Sequence, residues 1–117
     1  MSEPDPSQIT DLLLGMDFPI TEYEEDDVLI EEDSVGETVF VLYEGEVAVT
    51  QYYREIATIN QPGAMLGEIA AVLGVPRTAT ITVTKPSRFF VIEDLLEFLS
   101  DNPIMAVVIL KGMAFQI

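Results

Sequence analysis

Two charged residues carry the chemistry that this sequence offers. Glu68 and Arg77 stand in the stretch LGEIAAVLGVPRTAT, residues 66–80. Gly67 lets the backbone pass close to a ligand. The run EIAAVL, residues 68–73, lies between Gly67 and Gly74 with Ala70 and Ala71 at its centre. Alanine is the best helix former and is poor in strands, so the run predicts one or two helical turns. The first turn of a helix leaves free N–H groups and a partial positive charge, which together suit an anion. Glu68 places a carboxylate in that turn. Pro76 stiffens the approach to Arg77, one of five bases in the chain. Its guanidinium is a fork of donors matched to phosphate. An acid and a base on either side of a short helix can read a ligand that has hydroxyls and one negative charge. Taken singly, each has a plainer reading: Glu68 as an acid favouring the helix dipole, Arg77 as a surface cation.

The elements around this stretch are mostly strands. From Ile20 to Val91, runs rich in Val, Ile, Thr, Phe and Tyr alternate with turn clusters: ITEY, VLI, TVFVLY, VAVTQYY, EIATI, TATITV and RFFVI. Their regular spacing predicts a β sandwich or roll. Turn signals fall at EEDD, EEDSVGE, YEGE, NQPG and TKPS. Gly36, Gly45 and Gly63 serve such turns and receive no ligand role. Residues 1–8 read as a polar tail. Ile9, Leu12, Leu13 and Met16 share one face of a predicted helix over residues 8–16. Glu93 and Asp94 suit the start of another helix, and Pro103 opens a last one. That last helix is apolar on nearly every side and needs cover beyond the roll. Phe89 and Phe90 read as packing residues, Met105 and Met113 as core or interface.

Composition narrows the function classes. The chain has 117 residues, 49% of them apolar, which suits one domain over 1–117 with one sizeable core. It carries 21 acids and 5 bases, net −16, and 13 of the acids precede Thr38. Such a surface repels nucleic acid and anionic membrane. There is no Cys, so disulfides and thiol chemistry are excluded. There is no His, the commonest general base and metal ligand. No metal, no cofactor and no catalysis are expected; a metal enzyme on a similar roll would need strand histidines. No signal peptide is read at the amino end, and the longest apolar run, residues 104–110, is far short of a spanning helix. A cytoplasmic location is expected.

The stretch from residue 66 resembles the phosphate-binding cassette of the cyclic nucleotide-binding domain family, whose pattern is roughly aromatic-G-E-x-A, a spacer, then P-R, a small residue or Thr, and A. Gly67, Glu68, Ala70, Pro76, Arg77, Thr78 and Ala79 match it. FVLYEGEV also matches the family's hairpin pattern. The resemblance implies an eight-stranded antiparallel, jelly-roll-like β roll, with the cassette helix late in it and helices at both ends. It implies cAMP or cGMP as ligand and Gly67, Glu68, Ile69, Ala70, Arg77, Thr78 and Ala79 as the binding residues. Arg77 would hold the exocyclic phosphate oxygens. Glu68 would accept from the ribose 2′-hydroxyl, with the Gly67 carbonyl nearby. The N–H of Ala70, and that of Thr78 or Ala79, would complete the cradle. Thr78 stands where cGMP-favouring members often have a hydroxyl, as some cAMP-responsive channels also do. Leu66 replaces the usual aromatic, and Asp26 and Asp33 replace two turn glycines. Aspartate tolerates left-handed backbone, so those turns can survive. The last helix stops short of the residues that cap the purine in relatives. The expected role is a sensory module relaying binding through its C-terminal helices to a second copy or an effector. The alternative is an interaction or oligomerisation domain on the same roll that has lost its ligand.

Overall fold

The computed structural model describes residues 8–115, with side chains through Leu110. The tail read over residues 1–8 and the side chain of Met113 fall outside the description, except for Gln8.

Gln8 opens helix α1 (Gln8–Gly15), which ends one residue earlier than its apolar spacing suggests. Six strands follow: β1 (Ile20–Tyr23), β2 (Val28–Ile30), β3 (Val39–Gln51), β4 (Arg54–Ile59), β5 (Met65–Leu66) and β6 (Thr80–Ile92). Helix α2 (Glu68–Leu73) separates β5 from β6, and α3 (Leu95–Asp101) and α4 (Pro103–Phe115) close the chain. All strand pairs are antiparallel, in the order β1-β6-β3-β4, with β2 also on β6 and β5 on β3.

The strand count depends on one irregularity. YEGE and TKPS are read from sequence as turns, yet β3 and β6 run through them for 13 residues each. The two segments face each other, and the register jumps from Glu44↔Arg88 to Glu46↔Lys85. Gly45 takes φ +123°, and a Cβ there would fall on the side chain of Ser87. The buried Ser87 hydroxyl accepts from the Glu46 N–H at 3.0 Å and donates to the Lys85 carbonyl at 2.7 Å. The Gly45 and Pro86 neighbourhoods therefore form a paired bulge that bends the sheet rather than reversing the chain. Divided there, the two long strands supply the eight segments of the expected roll; undivided, the described residues hold six strands.

The β3–β4 hairpin also differs from expectation. Tyr52 and Tyr53 have strong strand propensity and were expected to end a strand. They instead form the two-residue turn, with φ +52° and +63°. The Gln51↔Arg54 pairing leaves only two residues for the loop, and positive φ at both is the type I′ form of such a tight hairpin. The Tyr52 N–H is held by the Glu32 carboxylate at 3.0 and 3.3 Å.

Alternation along β3 and β6 splits the core in two. Val39, Val41, Phe90 and Ile92 face the helices and pack with Ile9, Leu13, Leu95, Met105 and Ile109. Phe40, Leu42 and Phe89 face the roll interior with Ile30, Val47, Leu66, Ile81 and Val83. Phe89 and Phe90 are thus packing residues, one on each side. Asp94 caps α3 by accepting from the Glu97 N–H at 3.1 Å. Among its described side chains, helix α4 buries Met105 and Ile109 and leaves Ile104, Val107 and Leu110 exposed.

Candidate functional site

β5 hands the chain from the roll into a tight turn. Met65 and Leu66 pair with Val41 and Phe40, and Gly67 then takes φ +87°, which a side chain would resist. Helix α2 starts at Glu68 as expected and stops at Gly74, whose φ is +67°. The first N–H of α2 to be taken up by a backbone carbonyl is that of Ala71, by the Gly67 carbonyl at 3.2 Å. The N–H groups of Glu68, Ile69 and Ala70 precede it at the open amino end.

These residues border an open cleft of about 190 Å³. Gly67, Glu68, Ile69, Ala70, Arg77, Thr78 and Ala79 all line it, so the structure brings together every site residue selected from sequence. Ile30, Val49, Ile59, Met65, Leu66 and Ile81 form its apolar wall.

Arg77 is 5% exposed, which excludes the surface-cation reading. Its Nη1 donates to the Gly67 carbonyl at 3.0 Å and its Nη2 to the Thr38 carbonyl at 2.9 Å. Its backbone is clamped as well: its N–H donates to Ser34 O, and its carbonyl accepts from the Asp33 N–H, both at 2.8 Å. The aspartates replacing turn glycines adopt φ +75° at Asp26 and +67° at Asp33, so the turns do survive. Among the described residues the ion pairs are Lys85–Glu46 and Arg88–Glu44; no carboxylate pairs with Arg77. Burial pulls its pKa below the ordinary arginine value, yet a guanidinium stays charged. A buried charge without a counter-charge is rare in folded proteins.

Glu68 is half-buried, and burial raises its carboxyl above the ordinary pKa against a smaller opposing effect from its own N–H. Its folded pKa is raised, so ionisation opposes folding. The penalty is absent below the unfolded pKa and fully present above the folded one. Glu68→Gln is therefore expected to raise the melting midpoint at neutral pH, and the gain should vanish near pH ~4, where carboxylates become protonated. Thermal melts of both proteins at the two pH values check this; equal midpoints at neutral pH would refute it.

Two contributors were not visible in the sequence. The Thr38 carbonyl receives Arg77 from across the roll. Gly36 was assigned only to a turn, but a Cβ there would lie 3.0 Å from Arg77 Nη2. Neither position carries a local signal, because both act through tertiary contact.

The model of the cyclic nucleotide-binding domain matches residues 20–102, from β1 through the end of α3. The chain belongs to the cyclic nucleotide-binding domain family. It is 33% identical over 94 residues to a cGMP-dependent protein kinase isozyme of Drosophila melanogaster, covering 80% of this chain and 8% of the kinase. It is 29% identical over 91 residues to the cGMP-dependent protein kinase of Plasmodium berghei, covering 76% of this chain and 10% of that one. The chain thus spans about a tenth of these relatives. Among solved structures, the catabolite activator protein of Thermus thermophilus superposes with a TM-score of 0.72 at 19% identity, covering 93% of this chain and 54% of that one. That likeness establishes the fold the family shares: mostly antiparallel β with flanking helices. Among the described residues no cluster of three His, Cys, Asp or Glu could hold a metal ion, and no helix is long and apolar enough to cross a membrane.

Proposed function

We propose that the cleft binds a 3′,5′-cyclic nucleotide, cAMP or cGMP, and that residues 1–117 act as one sensory module rather than an enzyme. One observation carries this reading: Arg77 is buried, charged and, among the described residues, without a carboxylate partner, and it lines a cleft beside the open amino end of α2. Arg77 has five N–H donors, more than its two carbonyl partners need, so it can take phosphate oxygens. The N–H groups at the start of α2 face the same anion. Glu68, which among the described residues accepts a hydrogen bond only from its own N–H, can receive the ribose 2′-hydroxyl. The apolar wall suits a purine face. The names of the two matched kinases favour cGMP as one of the ligands.

Relay would begin at the cassette. Ligand bound to Arg77 would pull on the guanidinium that now holds the Gly67 and Thr38 carbonyls, and so would bias the position of α2. Ala71 of α2 shares a core cluster with Leu95 and Met105, which connects that bias to α3 and α4. A ligand shifts such an equilibrium only through a difference in affinity between two arrangements. Calorimetric titration with cAMP and cGMP tests the reading. Saturable heat with either supports it, and flat titrations with both would leave the interaction-domain alternative. The exposed stripe of Ile104, Val107 and Leu110 supports pairing of two copies through α4. A dimer mass in solution is the expected result, and a monomer at high micromolar concentration would refute it.

A further inference from the structure

We propose that the tip of the β3–β4 hairpin forms a docking groove for an arginine-bearing segment of a partner protein. The groove measures about 490 Å³. Val28, Tyr52 and Tyr53 make its apolar part, and Glu31, Glu32 and Asp33 its charged part. It shares no lining residue with the nucleotide cleft, so it stands apart from the nucleotide reading. A two-residue loop with positive φ at both positions favours Asn-Gly, because bulky residues resist the left-handed region. Tyr52 and Tyr53 take φ +52° and +63° there. The fold gives their rings little in return. Tyr52 is 79% exposed and Tyr53 wholly so, and neither ring packs on another ring or under a cation among the described residues. Two strained, exposed aromatic residues weaken the fold and suit recognition, and tyrosine is enriched where proteins meet. Val28, itself 50% exposed, extends the apolar surface beside them.

Charge chooses the occupant. Three carboxylates line the groove and no Lys or Arg does; Arg54, next to Tyr53 in sequence, is not a lining residue. The Glu32 carboxylate holds the Tyr52 N–H at 3.0 Å. The side chains of Glu31 and Asp33 make no hydrogen bond or ion pair among the described residues. A guanidinium can lie on a tyrosine face and pair with a carboxylate through its planar fork. Arginine thus uses both parts of the groove, whereas lysine offers a point charge. A second copy of this chain is a poor occupant. It carries net −16, and of its five bases Arg77 is buried and Lys85 and Arg88 are paired with Glu46 and Glu44. The same carboxylates repel nucleic acid and anionic membrane. A basic segment of another protein fits.

The test measures binding of labelled oligo-arginine and oligo-lysine peptides of equal length to the full chain at physiological salt, where distant charges are screened. The arginine peptide should saturate and bind about fivefold tighter than the lysine peptide. Tyr52→Asn combined with Tyr53→Gly removes both rings without changing charge and installs the residues that the turn favours. This double variant should melt at or above the parent's midpoint, yet bind the arginine peptide about tenfold more weakly, the scale of two exposed cation–π contacts. Glu31→Gln should weaken binding more than Glu97→Gln, which removes the same charge from an exposed position on α3. Parental affinity in the double variant would overturn the proposal. So would equal effects of the two glutamate changes, or equal affinity for the two peptides, because net charge alone would then attract them. A parent that binds neither peptide overturns it as well. Self-association that disappears in the double variant would put a second copy in the groove and overturn the choice of partner. If the double variant is unfolded, Tyr53→Ala is measured in the same way.

Discussion

Arg77→Ala is expected to abolish measurable binding of cAMP and cGMP and to lower the unfolding free energy by about 2–4 kcal/mol. Both effects come from the same side chain. The guanidinium would supply the only buried positive charge at the cleft among the described residues. It also joins α2 to the β2–β3 loop through the carbonyls of Gly67 and Thr38, at 3.0 and 2.9 Å. Removing it leaves both carbonyls without that partner, which adds to the loss. Arg77→Glu is the harsher variant, because it buries a carboxylate against two carbonyl oxygens. Arg77→Lys separates the two roles. It keeps a charge that can reach one carbonyl, so most stability should remain. It loses the planar fork, so affinity should fall at least about tenfold. Calorimetry and denaturant melts on the same samples check both. Alanine at position 77 with parental affinity would remove Arg77 from the site.

Gly67→Ala should be nearly as severe, at about 3 kcal/mol, with loss of nucleotide binding. The added methyl would lie 2.5 Å from Arg77 Nη1, 2.8 Å from Ile30 Cδ1 and 3.0 Å from the Thr38 carbonyl. Arg77 and Ile30 can rotate away, but the carbonyl is backbone and cannot yield cheaply. The backbone φ of +87° is strained for alanine in addition. Gly74→Ala is the matched control. It also sits at positive φ, +67°, but a Cβ there meets nothing within 4 Å. It should cost only about 1 kcal/mol and spare binding. Equal losses at the two positions would mean that backbone strain alone, not crowding of Arg77, makes Gly67 necessary.

Local chemistry was legible in the sequence where one residue decides it. Gly67 and Gly74 bound α2 as read, because glycine at a helix end answers a backbone need. Asp26 and Asp33 hold left-handed turns for the same local reason. Two errors share a different cause. Gly45 and Pro86 carry the same residue types as true turns, and only their pairing across β3 and β6 makes them a bulge. Tyr52 and Tyr53 look like strand residues, and the length of loop left by the Gln51↔Arg54 register overrides that preference. β5 has two residues, too short for any periodicity. The seven site residues, Gly67 to Ala70 and Arg77 to Ala79, line one cleft because they are nearly contiguous. Thr38 and Gly36 meet Arg77 through tertiary folding alone, so no spacing rule could find them.

The divided core gives the molecule two mechanical compartments. The cleft's apolar wall draws Ile30, Leu66 and Ile81 from the roll interior, while α1, α3 and α4 rest on the opposite side of the sheet. On the proposed relay, occupancy of the cleft and movement of the helices would meet at one joint, formed by Ala71 of α2 and Met65 of β5, which both belong to the helical-side cluster. Tuning that joint would alter how strongly the two compartments communicate without reshaping either one.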